Sequence, residues 1–178
     1  MSITFNLRER QAPLKERFTT DPDTAKATMT VRSVTEPSPN PTRVRIHSEA
    51  GNGVSWDVGA HALAAGDGDL PCSGDIFLAS LAACQEITIR MVAAAMGIEL
   101  KRLAVTVEGD MDFRGTMGVD AETPVGYQAI RVNVQVDADA PEDRLQRLMQ
   151  RAEKYCVVSA TLKNPPAVEM RTAINATA

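Results

Sequence analysis

Large aromatic side chains are nearly missing from this chain, which has four Phe, two Tyr and one Trp among 178 residues. Such a chain cannot fill a core with rings, so Ala, Val, Leu, Ile and the eight Met must do so. A core this short of large side chains gains buried area from a partner subunit, which hints at a dimer. Cysteine is scarce as well. The three present show no CxxC spacing, and the two His show no HxxxH spacing, so a metal site finds no support. No run of five or six basic residues occurs, and 19 Lys+Arg face 23 Asp+Glu for a net charge of −4. Nucleic acid is therefore not expected as a partner. The start, Met1-Ser-Ile-Thr-Phe-Asn-Leu-Arg-Glu-Arg10, carries no apolar signal core, which argues against secretion. Three cysteines in a leaderless chain point to a reducing cytoplasm rather than a disulfide scaffold. The longest apolar stretch is broken by Gln85, Glu86 and Arg90, so no membrane-spanning helix and no membrane partner are expected.

What is present suits one domain with a real core. Residues 1–24, with Pro13 and Pro22, read as an arm with a short helix between Leu7 and Phe18. Residues 25–178 read as a single domain. Ala27 to Val34 alternates, with Met29 and Val31 on one side, as a half-buried strand does. Pro37 to Pro41 is a turn. Arg43 to His47 alternates with Val44 and Ile46 inward, and Val54 to Val58 suits a third strand. Gly59 to Leu70 is a loop. A long helix follows from Ser73 to Met96, with Ser73 as N-cap, Asp75 at the positive end of the dipole and Gly97 as stop. Its apolar residues run nearly all round, which places it at the centre of the fold. Strands follow over Leu103–Val107 and Ile130–Val136, separated by a loop over Asp112–Val125. Asp139-Ala-Pro-Glu142 resembles a capping box for a helix with Leu145, Leu148, Met149 and Ala152 on one face. Pro165-Pro166 ends the next short helix, and Val168 to Ile174 suits a last strand. The order is that of an α+β domain with largely antiparallel strands.

Two cysteines stand in unlike settings. Cys84 lies inside Ile76-Phe-Leu-Ala-Ser-Leu-Ala-Ala-Cys84-Gln-Glu-Ile-Thr-Ile-Arg90, within the long helix. Cys156 comes just after the second helix, in Lys154-Tyr-Cys-Val-Val-Ser-Ala-Thr-Leu-Lys163. A thiolate is the strongest nucleophile a protein carries near neutral pH, and two thiols that meet form a redox couple. The competing reading makes both small core residues. Because Cys156 starts a helix, a thiolate there would be favoured. Cys72, twelve residues before Cys84, is about 18 Å away along a regular helix. That is beyond the roughly 7 Å between Cα atoms that a disulfide spans, so the two cannot pair within one chain.

Gly74-Asp-Ile-Phe-Leu-Ala-Ser-Leu-Ala-Ala-Cys84, two strands, a helix, then Tyr155-Cys156-Val-Val-Ser-Ala-Thr-Leu162 resemble the OsmC/Ohr family of osmotically inducible proteins and organic hydroperoxide reductases. The likeness covers roughly Cys72 to Pro165. The segments Leu70-Pro-Cys-Ser-Gly-Asp75 and Gly109-Asp-Met-Asp-Phe-Arg-Gly115 resemble an OsmC-like branch apart from its peroxidases. The resemblance implies an intertwined homodimer, with antiparallel sheets from both chains wrapped around long central helices. It implies Cys84 as peroxidatic and Cys156 as resolving thiol, a hydroperoxide substrate, a dithiol reductant and no cofactor.

The family's peroxidases resemble one another in a Glu ten residues before the reactive Cys, where this chain has Gly74. Asp75 lies about 180° from the Cys84 face of a regular helix and is a poor substitute. Glu86 lies about 200° from Cys84, and it is spaced to pair with Arg90. The resemblance further implies an Arg at the site. Arg32 corresponds best, with Arg43 and Arg45 as runners-up, each of which also reads as a solvated strand residue. His61 is a further base or donor candidate, or an exposed loop residue. Three functions stay open at this point. One is a dithiol peroxidase, another a small-molecule-binding or structural dimer that Gly74 favours, and the third a thiol enzyme with a different electrophile.

Overall fold

The computed structural model describes residues 6–34, 39–50 and 53–175. The elements run α1 (Leu7–Thr20), β1 (Val31–Ser33), β2 (Arg43–Ser48), β3 (Val54–Gly59), α2 (Ser73–Met96), β4 (Leu100–Asp110), α3 (Phe113–Thr116), β5 (Ala129–Ala138), α4 (Glu142–Tyr155) and α5 (Val157–Lys163). The chain is α+β with antiparallel sheets, as its sequence implies. One sheet has the order β1-β2-β3 and the other is the pair β4-β5. The turn expected over Pro37–Pro41 lies partly outside the described residues.

The core forms where α2 and α4 lie on β4 and β5. Ile89, Ala93, Ile98, Leu148 and Ala152 make its centre, with Leu103, Val105 and Val134 packed against them. Alternation drives this contact. Val105 stands opposite Val134 and Leu103 opposite Val136, so one face of the pair is apolar while Glu108, Arg131 and Asn133 face water. Ile89 and Leu148 are fully buried, and each stabilises the fold by about 1.5–3 kcal/mol.

α2 is held at both ends. The N-cap is Cys72, not Ser73. The Asp75 amide donates to Cys72 Sγ (3.4 Å) and the Cys72 amide donates to Asp75 Oδ2 (2.8 Å). This is a capping box in which sulfur replaces the usual hydroxyl. At the far end Gly97 adopts φ +65°, a conformation glycine takes without a Cβ penalty. Arg144 donates to the Met96 carbonyl (2.6 Å) and Arg8 of α1 donates to the Ala95 carbonyl. Two otherwise orphaned carbonyls of the last turn thus find partners.

α2 has the length and mean hydropathy (1.5) of a membrane span by composition alone, but Gln85, Glu86 and Arg90 interrupt it and it packs on the α4 and β4 of this fold. Its apolar character serves a different purpose. Leu81, Gln85, Ile89 and Ala93 form one buried face, while Phe77, Ile87 and Met91 form an exposed one. The helix is therefore covered on one side in the single chain.

Other expectations need correction. Pro141, not Asp139, is the N-cap of α4, and no side chain caps it. Asp139 instead lies 3.6 Å from Lys101. The first strand is only Val31–Ser33 and exposed throughout, because no layer of this chain covers it. The expected strand over Val168–Ile174 does not form. The segment follows Pro165-Pro166 with no ladder partner, and Val168, Met170 and Ile174 are exposed. The loop after Asp112 contains α3, because the Asp112 carboxylate accepts from the Arg114 amide (3.0 Å) and caps a helical turn. The loop after Gly59 holds a 3₁₀ turn over Ala62–Ala64.

Candidate functional site

α2 carries Cys84 half-buried on the side where α5 approaches. The break between α4 and α5 falls at Cys156, which is fully buried and serves as the N-cap of α5. The two cysteines lie 72 positions apart in sequence yet meet here, and both are free thiols.

Their thiols are close enough to influence one another, and their pKa values shift in opposite directions. Burial pushes the Cys84 thiol up, but the Val158 and Val157 amides, the Cys156 thiol and Thr88 outweigh it, and the net shift is downward. Thr88 sits one helical turn after Cys84, on the same face. Cys156 moves upward. Burial is the main cause, and the neighbouring Cys84 adds to it. The amides at the start of α5 thus favour a thiolate at Cys84. The Ser159 and Val158 amides act on Cys156 in the same sense, as expected of a helix start, but burial outweighs them there. Two thiols of matched environment would share one proton without direction. Here the more exposed sulfur is shifted toward the thiolate and the buried one toward the thiol, which is the asymmetry a nucleophile and its resolving partner need.

No cation stands among the groups that shift Cys84. Arg32, on β1, pairs with Glu49. Arg43 is held by Asp67 (2.7 Å) and Asp69 (2.8 Å), with their carboxylates raising its pKa further. Arg45 lies 3.3 Å from Asp57. Glu86 and Arg90 pair with each other at 3.6 Å, as their spacing implies. His61 caps the 3₁₀ turn, its Nδ1 accepting from the Leu63 amide (3.1 Å), and its ring stacks on Phe113 at 4.6 Å. Cys72 is committed to the α2 capping box. Among the described residues no cluster of His, Cys, Asp and Glu could hold a metal ion.

Sequence reasoning missed Tyr127. Its hydroxyl occupies the space a side chain at Gly74 would need, since a Cβ there would lie 2.6 Å from it. The ring lies over Gly109, where a Cβ would approach it to 2.6 Å, and stacks on Phe77 at 5.7 Å. The position that resembles the family's glutamate is thus filled by a phenol from the loop before β5. Burial raises the Tyr127 pKa, with the nearby Cys72 and Asp75 adding to the shift, so the hydroxyl stays protonated. A cavity of about 630 Å³ opens beside it. The scarcity of aromatic residues was the one signal in the sequence that could have drawn attention here.

The OsmC-like protein family model matches residues 66–171. No curated protein sequence matches the chain. Among solved structures, an organic hydroperoxide resistance protein OsmC from Legionella pneumophila is 18% identical, covering 78% of this chain and 90% of that one, with a TM-score of 0.58. An OsmC-like protein from Mycoplasma pneumoniae is 18% identical, with coverage of 79% and 90% and a TM-score of 0.59. An OsmC-like protein from Vibrio cholerae is 9% identical, with coverage of 76% and 94% and a TM-score of 0.59. At these identities the likeness is one of fold. The family match spans both cysteines and every element from α2 to α5, and the chain belongs to the OsmC-like family.

Proposed function

We propose that this chain is a thiol-dependent peroxidase that reduces organic hydroperoxides through Cys84 and Cys156, working as a cytoplasmic homodimer. The observation that carries the reading is the asymmetric thiol pair. Cys84 is half-buried and shifted toward the thiolate, while the neighbouring Cys156 is fully buried and shifted toward the thiol. The Cys84 thiolate attacks the terminal oxygen of a hydroperoxide. The O–O bond breaks, the sulfur keeps one oxygen as sulfenic acid, and the alkoxide leaves and takes a proton to become the alcohol. The Cys156 thiol then attacks the Cys84 sulfur. A disulfide forms, and the sulfenic oxygen leaves as water with the Cys156 proton. A dithiol reductant supplies two electrons and two protons, restoring both thiols and leaving as its own disulfide.

Arg32 is assigned as the cation that steadies the thiolate and the departing alkoxide. Within one chain it pairs with Glu49, so this role requires the three-stranded sheet of a second copy over Cys84. The homodimer has its own support. α2 leaves Ile87 and Met91 exposed, and Val168, Met170 and Ile174 are exposed along a C-terminal segment with no ladder partner among the described residues. Apolar surface of this kind suits a subunit interface.

The second reading is a binding dimer with weak or no catalysis, and one observation favours it. Tyr127 takes the room of the missing acidic side chain at Gly74, so no carboxylate orients an arginine from that position. Titrating reduced protein with cumene hydroperoxide while counting thiols separates the two. The peroxidase reading expects two thiols lost per peroxide and none in Cys84→Ser. Equal background consumption by both proteins would leave the binding reading in its place.

A further inference from the structure

Three of the seven Phe, Tyr and Trp residues in this chain, Phe77, Phe113 and Tyr127, line a single cavity. One of its two histidines, His61, lines it as well. They stand as two stacked pairs. Phe77 and Tyr127 lie 5.7 Å apart with 16° between their planes, and His61 and Phe113 lie 4.6 Å apart with 24°. Among the described residues, no Asp, Glu, Lys or Arg lines the cavity. A charged group would lose its hydration there and gain no partner, so the site suits an uncharged occupant. Flat ring faces reward a flat guest. Such stacking is worth roughly a factor of two to ten in affinity beyond area burial.

Tyr127 is seated deliberately. Only glycine at 74 and at 109 leaves room for its hydroxyl and its ring. Among the described residues, none of the hydrogen bonds of the fold uses that hydroxyl, which borders the cavity. Cys84 and Cys156 are not among the lining residues, and the cavity lies along α2 from Cys84. Phe77 is seven residues before Cys84, which puts it within about 20° of the same face of α2 and about 10.5 Å along the axis. Leu162 of α5, the helix whose first amides hold Cys84, lines the cavity too.

We propose that this cavity binds the uncharged aromatic ring of an arylalkyl hydroperoxide whose ring and peroxide are separated by a short chain, and that Tyr127 is the residue that selects it. The peroxide end lies at Cys84 and the ring lies between the two aromatic pairs. This substrate class rests on the reading of Cys84 as the peroxidatic thiol.

The test uses the full-length protein. Calorimetry on Cys84→Ser compares phenylpentanol, the alcohol product of phenylpentyl hydroperoxide, with an unbranched alkanol of equal octanol–water partition. The aryl alcohol is expected to bind about tenfold tighter, and Tyr127→Ala in the same background is expected to abolish the difference. Tyr127→Phe keeps the ring and should retain most of the preference, which separates stacking from the hydroxyl and shows that the loop still folds. In turnover assays, KM for phenylpentyl hydroperoxide should lie well below that for cumene hydroperoxide, in which ring and peroxide are only one carbon apart. Equal binding of the two alcohols, or a preference that survives Tyr127→Ala, would overturn the proposal. So would a dimer that excludes both alcohols, since a second copy would then fill the cavity. Aryl binding without turnover by the wild-type protein would fell the peroxidase reading alone. Turnover without an aryl preference would fell the ring site alone.

Discussion

Cys84 is half-buried and Cys156 fully buried, and the two neighbouring thiols shift in opposite directions, Cys84 downward and Cys156 upward. The geometry assigns order to two chemically identical groups. The half-exposed sulfur carries the negative charge more readily, and in the proposed cycle the buried one acts second. The amides of Val157 and Val158 supply this polarity from the backbone, so no cationic side chain of the same chain is needed to set it.

The pH dependence of peroxide reduction follows from that shift. Attack requires the thiolate, so the rate should rise with pH and level off as Cys84 ionises. The folded pKa lies below its ordinary value, and the inflexion should fall below the roughly 8.5 of a free thiol. Stopped-flow rates from pH 5 to 10 would read it. An inflexion above that of a free thiol would contradict the hydrogen-bonding scheme.

Removing either thiol should have different consequences. Cys84→Ser is expected to abolish peroxide consumption. Cys156→Ser should allow one equivalent of peroxide to react and then stop at the sulfenic acid, which a dimedone adduct on Cys84 would trap by mass spectrometry. Continued turnover in Cys156→Ser with a dithiol reductant would show that an external thiol replaces the resolving one.

Cys72 has a structural task, so its substitutions should act on stability. Cys72→Ala removes the acceptor for the Asp75 amide and should cost about 0.5–2 kcal/mol, whereas Cys72→Ser preserves the cap and should cost less. Urea unfolding of both variants checks this. Peptide mapping of peroxide-treated protein should find the Cys84–Cys156 bridge and a free Cys72.

Gly109→Ala tests how tightly Tyr127 is seated. The added methyl would lie 2.6 Å from the ring and 3.1 Å from Leu78, so the ring must move, at a cost of about 1–3 kcal/mol. The variant should unfold at lower urea and show altered Tyr127 ring signals in NMR. Unchanged stability would mean that the loop carrying Tyr127 yields without resistance.

The exposed face of α2 makes the dimer testable. Wild-type protein should sediment as a dimer at micromolar concentration, and a charge at Ile87 or Met91 should shift it to monomer. A folded wild-type monomer would remove the partner sheet that the assigned role of Arg32 requires.

Much of the fold was written in periodicity. The 24-residue α2, the alternation of Leu103, Val105 and Val107 against Val132, Val134 and Val136, and the spacing of Leu145, Leu148, Met149 and Ala152 each specify an element through the face it buries. Cys84 and Cys156 were legible as candidates because each sits in a distinctive local run. Local signals failed where the deciding partner is remote or unusual. Cys72 capped α2 through sulfur, which side-chain rules for oxygen caps do not anticipate. Val168–Ile174 has a strand's alternation, but alternation marks only a face to be covered, and no strand of the same chain pairs with it.

The sequence by itself determined which residues are candidates for the chemistry and which helices present them, because amphipathic spacing and helix punctuation are properties of neighbouring residues. Only the tertiary structure decided which thiol shifts toward the thiolate, since that depends on α5 bringing its first amides to a sulfur on α2. It alone showed that the room at Gly74 belongs to Tyr127, 53 positions away, because a hairpin and a helix must pack before a ring can fill the space left by a missing side chain.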